Sequence, residues 1–177
     1  MKKAIIVFSG FTEERQKTTG SRKLWRNLMN RYRDDVDYIF LLEWNDDPKD
    51  YAEFLNSLNV SEALVCAYSW GAGFGLREFA KGFLGQVNAV LCDPVFRSKF
   101  PWMRWRALTK NWKPTIQYTK NVNVVRWFNQ TKNQPGADNV NTDCKVQTLP
   151  YLHCEIDDSP EYHQAALEEA YIFVNGN

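Results

Sequence analysis

Apolar and polar positions divide the chain into short apolar runs separated by longer segments of helical period. "KAIIVFSGF" reads as a strand that closes in a glycine turn. From Thr19 to Arg33, residues Leu24, Trp25, Leu28, Met29 and Tyr32 recur at three- and four-residue spacing, which predicts an amphipathic helix. "VDYIFLLEW" predicts a second strand. Pro48 to Leu58 predicts a short helix, opened by Asp46 or Asp47 with the proline in its first turn. "EALVCAY" is a third strand, with a helix from Trp70 to Phe83 after it. "VNAVLCD", "NVNVVRWFN" and "CKVQTLP" predict the fourth, fifth and sixth strands. The last helix begins in "DSPEYHQAALEEAYIFV", capped by Asp158 or Ser159 with Pro160 at its first position.

Strands that are nearly continuous in apolar residues and alternate with helices point to a parallel sheet covered on both faces. The expected fold is therefore a single α/β domain over 1–177, a three-layer α/β/α sandwich with a mostly parallel sheet of about six strands. In such folds functional groups gather just past the carboxyl ends of the strands.

Composition changes this picture little. A hydrophobic fraction of 44% suits a chain with a packed core, and a net charge of +1 gives no global attraction to nucleic acid or a membrane surface. The first apolar run is too short for a signal-peptide core, and no run approaches a membrane span. Cys66, Cys92, Cys144 and Cys154 show no CxxC pairing and are expected as free thiols in a cytoplasmic protein. One segment stands apart. Pro94 to Lys120 holds seven of the 22 basic residues and none of the 21 acidic ones, so the remainder carries −6. It also holds Trp102, Trp105 and Trp112. This basic, aromatic insertion at about 94–120 reads either as a cap over a site or as a crossover with solvated cations.

The stretch "ALVCAYSWGAGFG" carries the candidate chemistry. A nucleophile elbow needs a strand, small residues two places either side of the nucleophile, and a helix that starts at once. Ala67 and Gly71 flank Ser69 in this way, and the helix start offers backbone N–H groups where an oxyanion would form. His153 follows the sixth strand, at the correct edge of the sheet to act as base, whereas His163 falls inside the last helix. Asp93 directly follows the fourth strand and is preferred as the acid over Asp138 and Asp143. The turn "SGF" after the first strand places Gly10 or Phe11 as one oxyanion donor, and Trp70 supplies the other. Ser9 is either a site residue or a turn residue.

The order Ser69, Asp93, His153, the elbow "AYSWGAG" and the opening "FSGF" turn resemble the α/β-hydrolase superfamily, in particular its small esterase-, lipase- and thioesterase-like members. The resemblance implies a Ser-His-Asp triad that works through an acyl-enzyme, with no metal or cofactor. Its implied partner is a small acyl ester or thioester. The chain departs from that family in its shortness, in the serine of its first turn and in an acid placed after an earlier strand than usual.

Two other readings compete. "GAGFG" followed by Asp93 echoes a dinucleotide fingerprint, but Gly75 falls one place short of the position that pattern needs. A metal site from His153, Cys154, Glu155 and Asp157 lacks a further pair at ligand spacing. The alternative to a serine hydrolase is a non-catalytic scaffold binding a nucleotide or single-stranded nucleic acid through the glycine turn and the basic segment. A decayed scaffold is expected to have lost a triad position, yet Ser69, Asp93 and His153 are all present, so nucleic acid is not the expected partner.

Overall fold

Successive residues of the first strand face opposite sides, as the pleat requires. In β1 (Lys2–Phe8), Ala4, Ile6 and Phe8 enter one apolar cluster, while Ile5 and Val7 enter another. A strand apolar on both sides needs cover on both, and three layers follow. The computed structural model describes residues 1–11, 13–96, 115–131 and 139–176. After β1 come α1 (Gly20–Tyr32), β2 (Tyr38–Leu42), α2 (Pro48–Ser57), β3 (Val60–Tyr68), α3 (Leu76–Gly82) and β4 (Gln86–Cys92). Then follow β5 (Thr115–Ile116), β6 (Val122–Gln130), β7 (Asn139–Val140), β8 (Gln147–Leu149) and α4 (Pro160–Asn175).

The sheet has six strands in the order β2-β1-β3-β4-β6-β8, all paired in parallel. Ala52 and Leu55 of α2 and Leu76 and Phe79 of α3 cover one face; Leu24 and Leu28 of α1 and Tyr162, Ala166 and Ala170 of α4 cover the other. Each fully buried leucine contributes about 1.5–3 kcal/mol of transfer free energy. The chain leaves β1 toward β2 and then returns to set β3 on the other side of β1. The crevice opened by such a reversal lies at the carboxyl ends of β1 and β3.

Helix starts follow the capping residues. Asp47, not Asp46, caps α2, accepting from Lys49 N–H at 2.9 Å, while Asp46 accepts from Glu43 N–H at 2.8 Å. Ser159, not Asp158, caps α4, because the Asp158 carboxylate is drawn into an ion pair with Lys23. Between β3 and α3 the helical start is wide, a π-type turn over Gly71–Gly75.

The ladder of β5 with β7 has no signal in the hydrophobic pattern, because two residues are too short to show a period. Of the insertion expected at 94–120, residues 97–114 lie outside the described residues. Its far end belongs to the core: Ile116 is 2% exposed, and Tyr118 donates its hydroxyl to Ala72 O at 2.6 Å. Among the described residues, no helix is long and apolar enough to cross a membrane.

Candidate active site

The central strand β3 delivers Ser69. Ser69 has φ of 52°, a left-handed conformation that costs a residue with a Cβ about 1–2 kcal/mol. The chain then enters the helical turn at once. A Cβ on Gly71 would lie 2.5 Å from Ser9 O and 2.7 Å from Phe8 Cβ, so the turn runs directly against the end of β1. A Cβ on Gly73 would strike the carbonyl of Val95, and one on Gly75 would meet the Phe8 ring at 2.8 Å. These glycines serve close packing of helix on sheet and on the segment after β4. The protein itself fills the faces that a pyrophosphate would need.

The neighbouring strand β4 ends in the same way. Asp93 has φ of 44° and is fully buried. Its own N–H donates to Phe128 O at 2.7 Å, and one carboxylate oxygen accepts from Gln130 N–H at 3.4 Å. The other oxygen, Oδ2, bonds to Nδ1 of His153, which lies in the loop between β8 and α4. His153 Nε2 is 2.9 Å from Ser69 Oγ. A carboxylate at Nδ1 keeps the proton on that nitrogen and lets Nε2 accept from the Ser69 hydroxyl. The three side chains therefore form one continuous chain of hydrogen bonds. Both ring nitrogens of His153 are committed to it. Asp143 is exposed and takes no part, and Asp138 lies outside the described residues.

Structure also separates the two amides considered after β1. Gly10 N–H is donated to the carboxylate of Glu13, which leaves Phe11 as the unbonded neighbour at that turn. Trp70 N–H lies in the first turn of the helical segment, where backbone donors lack intrahelical acceptors. The Phe11 ring, 57% exposed, packs edge-on to Trp44 at 4.6 Å and near Trp70 at 6.2 Å. Ser9 is a structural residue: its hydroxyl donates to Glu43 at 2.7 Å, and Glu43 is in turn held by Arg22.

A cavity of about 400 Å³ opens beside Ser69 and His153, walled also by Phe11, Tyr68, Glu13 and Asp157. Sequence reasoning attaches no role to Tyr68 or Glu13. Tyr68 donates its hydroxyl to His153 O at 2.5 Å and so fixes the backbone of the base; burial holds its phenol far above the usual range. Burial, with the charge of Glu13 behind it, pushes the Asp157 carboxyl up to about 8. Nothing in local sequence marks these residues, since their partners lie in distant segments.

His163 is packed into the structure, with Nε2 2.8 Å from Asp157 O and its basicity lowered by burial. The four cysteines are unpaired, and burial pushes the Cys66 thiol up to about 12. Among the described residues, no three His, Cys, Asp or Glu side chains are grouped to hold a metal ion. No protein-family model matches the chain, and no curated protein matches it closely in sequence.

Proposed function

We propose that the protein is a serine hydrolase of α/β-hydrolase type that cleaves a carboxylic ester or thioester through an acyl-enzyme on Ser69. The observation that carries this reading is the pairing of a strained Ser69, at φ 52°, with His153 Nε2 2.9 Å from its hydroxyl oxygen. A left-handed serine at a strand-to-helix turn is strained, and such strain collects where chemistry needs a presented nucleophile.

Ser69 Oγ attacks the acyl carbon as His153 Nε2 takes its proton. The carbonyl electron pair moves onto oxygen, where the N–H groups of Phe11 and Trp70 receive it; one such donor is worth about 3–4 kcal/mol. Collapse breaks the bond to the leaving group, and His153 returns the proton to the departing oxygen or sulfur. Water, deprotonated by His153 in turn, then hydrolyses the acyl-enzyme and regenerates Ser69. Asp93 holds the tautomer and stabilises the imidazolium throughout. On this reading the substrate is a small acyl ester or thioester, no cofactor is needed and the protein works in the cytoplasm.

The test is labelling with a fluorophosphonate probe, with the adduct located by mass spectrometry. The expected result is an adduct on Ser69 that is lost in Ser69→Ala and strongly reduced in His153→Ala. A folded wild-type protein that stays unlabelled at Ser69 overturns the reading.

A further inference from the structure

Two buried carboxyl groups that the acyl-transfer chemistry does not use meet beside the site. Glu13, 6% exposed, sits in the short 3-10 turn after β1, and Asp157, 4% exposed, in the 3-10 turn between His153 and α4. Glu13 Oε2 accepts the Gly10 N–H and, at 2.9 Å, the Ser21 hydroxyl. It thereby ties the turn that presents Phe11 N–H to the start of α1. Asp157 packs on the Gly20 backbone and lines the same cavity as Glu13, whose charge helps to raise the Asp157 carboxyl. A Cβ on Gly20 would strike the carbonyl and carboxylate of Asp157, so α1 begins flush against the loop that carries His153.

Two carboxyl groups bond to each other only when one carries a proton. Glu13 Oε1 is buried and receives no N–H or O–H by ordinary hydrogen-bond geometry, and a proton on Asp157 supplies the missing donor. We propose that Glu13 and Asp157 are positioning residues for acyl transfer at Ser69: a singly protonated carboxyl clamp that holds the oxyanion turn and the His153 loop against α1. The proposal rests on the hydrolase reading above.

Several titratable groups surround the pair. Tyr68 of β3, Cys92 of β4 and Tyr162 of α4 face it, and burial keeps all three protonated. His163 of α4 is held neutral by burial. Asp158, beside Asp157, is paired with Lys23 of α1, and the guanidinium of Arg22 reaches Glu43. Asp93 is bonded to His153, which shares the cavity with Cys154. Alkaline conditions strip the shared proton, leave two facing carboxylates and open the clamp.

The experiment measures fluorophosphonate labelling and p-nitrophenyl acetate turnover between about pH 5 and pH 10. Wild type is compared with Asp157→Asn, Glu13→Gln and Glu13→Ala, each checked for folding by circular dichroism. Wild-type rates should fall on the alkaline side. The amide introduced by Asp157→Asn or by Glu13→Gln donates at every pH. Those two variants should therefore keep the neutral-pH rate within about threefold and lose the alkaline fall. Glu13→Ala, which has no acceptor for Gly10 N–H, should lower kcat by about tenfold or more with KM nearly unchanged. If Asp157→Asn does not fold, Glu13→Gln carries the test. Alkaline limbs that superimpose on wild type, or a Glu13→Ala that keeps its kcat, overturn the clamp alone. A wild type that is never labelled overturns the hydrolase reading and the clamp with it.

Discussion

Strand β3 is bracketed by two left-handed residues that have little else in common. Asn59 enters it with φ of 57° and Ser69 leaves it with φ of 52°. Asn59 sits in the turn that ends α2, its N–H bonded to Asn56 O at 3.0 Å. Asparagine tolerates this region, and a helix end asks for it. Ser69 is 5% exposed at the opposite edge of the sheet, where no helix end requires the conformation. Its backbone aims a hydroxyl at His153, and on the adjacent strand Asp93, at φ 44°, aims a carboxylate at the same ring. One backbone state thus closes a helix at one end of β3 and joins a hydrogen-bonded chain of Ser69, His153 and Asp93 at the other. What separates the two is whether the side chain has a partner from a distant segment.

The contrast between the two ends is tested most severely at Asp93. Asp93→Asn retains shape but leaves the imidazole without the anion that fixes its tautomer. Turnover should fall by about 10³–10⁴-fold at neutral pH with the fold intact, as read by steady-state kinetics beside circular dichroism. A loss below tenfold would mean that another group orients His153.

Gly71→Ala comes next. The added carbon meets the Ser9 carbonyl and Phe8, backbone and core atoms that cannot swing aside. Thermal or urea unfolding should show a loss of about 1–3 kcal/mol. A variant as stable as wild type would show that the elbow can back away from β1.

The acid pair gives a pH signature smaller per unit of pH. The folded Asp157 carboxyl binds its proton more tightly than the unfolded one, whose value is 3.8. The stability this confers is fully present below that value and is lost as pH rises toward about 8. Within that window the slope is at most about 1.4 kcal/mol per pH unit for one proton. Urea midpoints should decline from pH 5 to pH 8 in wild type and flatten in Asp157→Asn; parallel curves would assign the decline elsewhere.

The smallest effect belongs to the other end of the strand. Asn59→Gly should alter stability by no more than about 0.5 kcal/mol and leave turnover unchanged, because that left-handed residue closes a turn and nothing more. A drop in activity there would tie the far end of β3 to the site.

Much of the site is legible along the chain because two rules of position apply locally. Ser69, Asp93 and His153 each lie just past a strand, and hydrophobic period alone marks where strands end. Asp93 stands out from Asp143 by abutting a strand whose last four residues, Ala89 to Cys92, are apolar and buried, and the structure puts it on His153. Between Gly10 and Phe11 the local pattern leaves the choice open, and only the Glu13 carboxylate on Gly10 N–H distinguishes them.

Pattern along the chain was enough to set the layers, the parallel sheet and the residues that stand at its carboxyl edge. Periodicity and capping act over a few neighbours, so they survive in a one-dimensional reading. The partners came from the packed fold. Tyr68 on the carbonyl of His153, Glu13 against Asp157, and the choice of Ser159 over Asp158 as a cap all depend on groups far apart in the chain. Hydrogen bonds and charge pairing are short-ranged in space but blind to sequence distance, and only packing brings their two ends together.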